Sequence, residues 1–234
     1  MTMIKKMKRW VAKWNRSRIV VLRDRKSYFT HEQFMKMYAD IPEAVYRNWV
    51  EQGPEEFKGM KTSFKQWILS VEGLLMYFKV VQKAQGKPTL LVSVAADAVW
   101  HAWLREDPKG LKYFQLRHFG KALEHVERHA MVNRGINTTE ALTNTWAVCR
   151  KIEGAPLFYA VHRTFVYPPL FLLDKELNFP GGNWYNYYNG KIELKKIEPG
   201  TWGADSWSTP VALTAGAFVA TGWITSEEAL AYQA

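Results

Sequence analysis

The sequence predicts a mainly α domain of about six to eight helices, with a less regular, partly β C-terminal third. Three observations carry that expectation. Apolar residues recur at helical spacing from the N-terminus to about Gly154. Capping residues and Gly or Pro stops punctuate those runs. Beyond Pro168 the pattern changes to a short apolar run, an aromatic turn-rich segment and a stretch of alternating apolar and charged residues. Of 234 residues 47% are apolar, including 12 Phe, 11 Trp and 11 Tyr, enough for one substantial core. The expected organisation is a basic arm (1–26), a helical core (27–182) and an irregular aromatic and small-residue extension (183–234).

In the arm, Ile4, Met7, Trp10, Val11 and Trp14 alternate with Lys5, Lys6, Lys8, Arg9 and Lys13, the pattern of a basic amphipathic helix. Thr30 and Gln33 form a capping box for a helix over His31–Tyr38. Pro42 suits the first turn of the next helix, which carries Val45, Tyr46 and Trp49. Between Ser63 and Lys83 the run Phe64, Trp67, Ile68, Val71, Leu74, Leu75, Phe78, Val81 marks the longest helix, stopped by Gly86 and Pro88. Thr89 is the expected cap of a helix through Ala95, Val99, Trp100 and Trp103, and Asp107-Pro108 starts another through Leu111, Phe114 and Phe119. Gly120 interrupts that run before a further helix over Ala122–His129. Asn137 or Thr138 then begins a helix ending near Gly154. Leu170–Leu177 reads as a short helix, the segment from Phe179 to Gly190 as a loop, and Lys191–Ile197 as a half-exposed strand. The uncharged stretch Val211–Ile224 reads as a buried helix, a strand pair or a docking surface.

Charge narrows the partners. The arm holds ten Lys or Arg against Asp24 alone, so it carries +9 of the formal +10 and leaves about +1 for the body. A basic body would suggest a nucleic-acid groove, and this body is nearly neutral. A basic arm directs attention to a protein partner, a membrane surface or nucleic acid contacted through residues 1–26. No apolar run reaches the roughly twenty residues of a transmembrane segment, and charges interrupt any signal-like core. Cys149 is the sole cysteine and cannot form an intramolecular disulfide, which fits a reducing, cytoplasmic setting; its apolar neighbours mark it as a small buried hydrophobe. No phosphate-binding glycine loop and no serine nucleophile elbow occurs.

The chemically suggestive residues lie in the middle of the chain. Asp97 and His101 are four apart on one predicted helix, as are His125 and His129 on another. If the two helices face each other, these four residues supply up to four ligands to zinc or another divalent ion such as Fe(II), Mn or Co. Glu124 and Glu127 stand beside the second pair as orienting groups or as a base for metal-activated water. The same residues also support a structural cluster of Asp97, Trp100, His101 and His125. There the Asp97 carboxylate fixes a histidine tautomer, and Trp100, Trp103, Tyr113 and Phe119 exclude water.

The segment DAVWHAWLREDPKGLKYFQLRHFGKALEHVERH resembles the signature of the glycine-rich-domain-containing-protein-like family, found in plants and in bacteria. The matching residues are Asp97, Trp100 and His101, Tyr113 and Phe114, Phe119-Gly120, and His125; His129 is outside the pattern. FLLDKELNFPGG, residues 171–182, is similar to a Leu/Asp…Pro-Gly-Gly segment of the bacterial members. The resemblance implies a mostly helical body and a shared Asp/His architecture, and leaves the chemistry of the site open. The chain departs from the family in lacking a Gly- or Cys-rich tail. Taken together, the sequence favours a non-enzymatic structural or interaction protein. A metal-dependent hydrolase centred on Asp97, His101 and His125 is the alternative, and a nucleic-acid-binding accessory protein the third reading.

Overall fold

A computed structural model of the chain describes residues 28–126, 128–157, 167–188, 191–197 and 211–231. The basic arm of residues 1–26 lies outside them. Ten helical segments occur among the described residues, and seven of these have nine residues or more. The mainly helical expectation therefore holds, with a small antiparallel sheet in the C-terminal third.

Helix α1 (His31–Ala39) starts with the predicted capping box: Thr30 Oγ1 accepts from Gln33 N and Gln33 Oε1 accepts from Thr30 N. Helix α2 (Glu43–Glu56) begins one residue after Pro42, which occupies the cap itself. Helix α3 (Phe64–Lys83) is the centre of the molecule. Its residues from Gln66 to Phe78 are buried almost without interruption, because other helices cover it on several sides. Helix α4 (Val94–Glu106) packs against both α2 and α3.

Ser93, not Thr89, caps α4: its Oγ accepts from Ala96 N at 3.2 Å. The chain ahead of it is held extended by α7 (Thr138–Ile152), where Thr145 Oγ1 accepts from Leu90 N and donates to Leu90 O. Helix α5 (Pro108–Phe119) follows the predicted Asp107 cap and ends at Gly120, whose φ of 76° is the left-handed conformation that glycine adopts without strain.

The helix expected over Ala122–His129 does not form. After Gly120 the chain is irregular through residue 126, and helix α6 covers only Arg128–Asn133. The Leu123 amide donates to the side-chain oxygen of buried Gln115 at 3.0 Å, which ties this irregular segment back to α5. Helix α8 (Pro169–Leu177) leads into strand β1 (Asn183–Tyr188), where the sequence suggested a loop. Its aromatic residues suit a strand once a partner is present. That partner is β2 (Lys191–Lys196), in antiparallel register with Tyr185 opposite Leu194 and Tyr187 opposite Ile192. A two-residue strand, β3 (Val211–Ala212), completes the sheet in the order β1-β2-β3.

Helices α9 (Ala215–Ala220) and α10 (Ser226–Ala231) close the described chain, so Val211–Ile224 is a strand end followed by a short helix. Tyr185, Ile192, Phe218 and Trp223 join the same buried core as Trp49, Trp67, Trp103 and Trp146. No helix among the described residues is long and apolar enough to cross a membrane.

Candidate metal centre

The start of α4 positions the site. Asp174, fully buried on α8, accepts from Ser93 Oγ at 2.6 Å and from the backbone amides of Val94, Ala95 and Asn183 at 2.8–3.0 Å. A carboxylate at a helix N-terminus meets free amide donors and the positive end of the helix dipole. Burial pushes the Asp174 carboxyl above its ordinary range, while the four donors pull it the other way. Gly182 is required beside it, since an added Cβ would lie 2.6 Å from Phe179 O and 2.8 Å from the Asp174 Cβ. From the other side, Asn183 Nδ2 and Tyr185 Oη both donate to Val92 O.

One turn into the anchored helix stands Asp97, and one turn later His101. Asp97 Oδ2 is 3.7 Å from His101 Nε2. The other ring nitrogen of His101, Nδ1, meets Glu56 Oε1 at the end of α2. Arg105, a further turn along α4, donates through Nη1 to Glu56 Oε2 at 2.6 Å and through Nε to Asn48 Oδ1 at 3.1 Å. Asp97, His101 and Arg105 thus form one i, i+4 ladder, with Glu56 tied to its upper two members.

His125 reaches the site from the irregular segment after Gly120. Its Nε2 donates to Asp97 Oδ1 at 2.7 Å, and its ring lies edge-on to His101 at 4.7 Å between centroids. Trp100, buried between α3 and the site, meets the His125 ring at 4.8 Å and Phe78 at 5.1 Å, both edge to face. The segment is held by Leu123 N on Gln115 and by Lys121 Nζ on Val81 O.

Ligand atoms of Asp97, His101 and His125 all lie within 4.8 Å of one another, and all three residues are half-buried. Metal–ligand distances of about 2.0–2.2 Å place tetrahedral donors about 3.4 Å apart. The closest pair would open, and the widest close, by roughly 1 Å to reach that spacing.

The structure thus brings together Asp97, Trp100, His101 and His125. His129 is on α6, and its side chain lies outside what is described, as does Glu127. Because His125 is not helical, the expected His125/His129 pair on one helix face does not exist. Glu124 is not an orienting group either. It faces solvent in a two-pronged pair with Arg134, at 2.7 and 2.9 Å, which holds its carboxyl below the usual range. Tyr113 is 67% exposed and walls off nothing; Phe78 takes that place.

Glu56, not Glu124, is the glutamate that meets a ring nitrogen of His101. No sequence signal marks it, as 45 positions separate it from His101. Arg105 was not singled out from the sequence either, although it lies four positions after His101. Cys149 is buried, and burial together with Glu153 pushes its thiol far above the ordinary range, so it is no nucleophile. Set against models of known protein families, curated proteins and solved structures, the chain matches none.

Proposed function

We propose that the chain is a divalent-metal-dependent hydrolase whose ion is held by Asp97, His101 and His125. The observation that carries this reading is the convergence of one carboxylate and two imidazoles from separate segments. Three protein ligands leave coordination positions open, as catalytic sites do and closed structural sites do not. A divalent ion so held acts as a Lewis acid and lowers the pKa of water. The ligand set suits zinc and other first-row divalent ions alike.

The chain's own residues do the positioning. Glu56 on His101 Nδ1 leaves Nε2 directed toward Asp97, the carboxylate–histidine arrangement that orients a ligating ring. A bound ion would take the place of the proton that His125 Nε2 shares with Asp97, the neutral imidazole then carrying its proton on Nδ1. The test is metal content after purification and metal titration by calorimetry, on the full chain and on His101→Ala. One equivalent of metal, lost in the variant while its circular dichroism is kept, is the expected result. A metal-free protein that takes up none would end the hydrolase reading.

A structural role is the second reading, favoured by one observation: His125 bonds Asp97 and packs on Trp100. In that case His101→Ala and His125→Ala lower stability and change nothing in metal content. The likeness to the glycine-rich-domain-containing-protein-like family is part of the proposal. Its support is that the two segments carrying it meet, Asp174 of one capping the helix that bears Asp97 of the other. Contact of residues 1–26 with a protein partner, a membrane surface or nucleic acid is likewise proposed from charge alone.

A further inference from the structure

A cavity of about 760 Å³ opens beside the ligands, with Asp97 and His125 in its wall. That size falls within the roughly 300–1,000 Å³ typical of small-molecule sites. Much of the wall is apolar and comes from separate segments: Leu90 and Leu91 ahead of α4, Val94 on α4, Leu123 after α5, and Ile192 and Leu194 on β2. Residues so far apart in sequence are not the stripe of one helix. They line one side of an open cleft, with an apolar surface against which a hydrocarbon body can lie, beside the polar Thr89, Glu124 and Glu193.

The cationic side chains in the wall have other partners. Lys121 Nζ donates to Val81 O, Lys196 Nζ to Gly181 O and Asn183 Oδ1, and Lys87 Nζ to Thr221 O. Recognition of a polar head then falls to the metal. One carboxylate and two neutral imidazoles leave a divalent ion with a net charge of +1, which a single anionic head neutralises.

Resting on the metal reading above, we infer that this centre binds acyl compounds: an anionic or ionisable carbonyl head on the metal and an aliphatic body in the cavity. Hydrolysis of an acyl ester or amide would place its carboxylate product in that position, with water adding to the carbonyl carbon and the alcohol or amine leaving with a proton.

The test uses the full chain loaded with Zn²⁺, titrated with acetyl, hexanoyl and decanoyl hydroxamates as metal-binding probes. Affinity should rise about fourfold per added methylene until the cavity is filled. Leu194→Lys, or Leu123→Lys should the first fail to fold, should leave zinc uptake unchanged and flatten the series. Zinc uptake with hexanoyl no tighter than acetyl would overturn the acyl assignment alone. An undiminished series in a folded lysine variant would remove the cavity as the binding place. No zinc uptake at all would overturn both this inference and the metal reading beneath it.

Discussion

His125 Nε2 lies 2.7 Å from Asp97 Oδ1, joining an irregular segment to the first turn of a helix 28 positions earlier. The bond closes a triangle whose third corner, His101, is held from behind by Glu56. Each member of that arrangement has a separable consequence.

Glu56→Gln should weaken metal binding by about 10–100-fold, because the ring of His101 loses the carboxylate that orients it. The ion pairs of Glu56 are partly exposed, so the loss of stability should stay at about 1 kcal/mol or below. Calorimetric metal titration beside thermal melts separates the two effects. Equal metal affinity in the variant would remove Glu56 from the site.

Asp174→Ala should cost about 3–5 kcal/mol, since it strands a buried hydroxyl, two buried amide donors and a half-buried third at once. Urea unfolding measures this directly. A loss below about 1 kcal/mol would mean that the start of α4 is fixed by something other than this carboxylate.

Trp100 tests packing against polarity. Its Nε1 is buried and has no hydrogen-bond partner among the described residues. Trp100→Phe should therefore cost only about 1–2 kcal/mol, whereas Trp100→Ala should cost about 3–5 kcal/mol and loosen His125. Equal losses in both variants would show that the indole nitrogen matters after all.

Tyr77 makes a pH prediction. Burial, the largest cause, and the charge of Asp97 push its phenol from the ordinary 10.0 up to about 12, opposed by its bond to Thr89. The folded state holds that proton more tightly than the unfolded chain does. Its contribution to stability is thus complete below pH 10.0 and is lost as the pH rises through about 12. Tyr77→Phe should flatten that part of the stability profile, measured by urea unfolding at a series of alkaline pH values. An unchanged slope would assign it to other buried phenols such as Tyr38.

Local interactions were legible from sequence wherever local physics decides. The capping box at Thr30, the Asp107-Pro108 start, the long helix after Ser63 and the left-handed stop at Gly120 all depend on residues within a turn of one another. So does the Asp97/His101 pair, which helical spacing alone places on one face. Four features depended on contacts that reach beyond a single turn of chain. Thr145 on the far helix α7 keeps the chain extended from Leu90 and moves the cap of α4 to Ser93. After Gly120 the Leu123 amide is held by Gln115 on α5, and His125 arrives on irregular chain. Pairing with β2 turns an apparent aromatic loop into strand β1. Glu56 and Asp174, both decisive for how the site is held, meet their partners 45 and about 80 residues away. By itself the sequence determined most of the longer helices and nominated Asp97, His101, His125 and His129. Only the tertiary structure decided that the first three converge, because a hydrogen bond between distant segments leaves no periodicity to read.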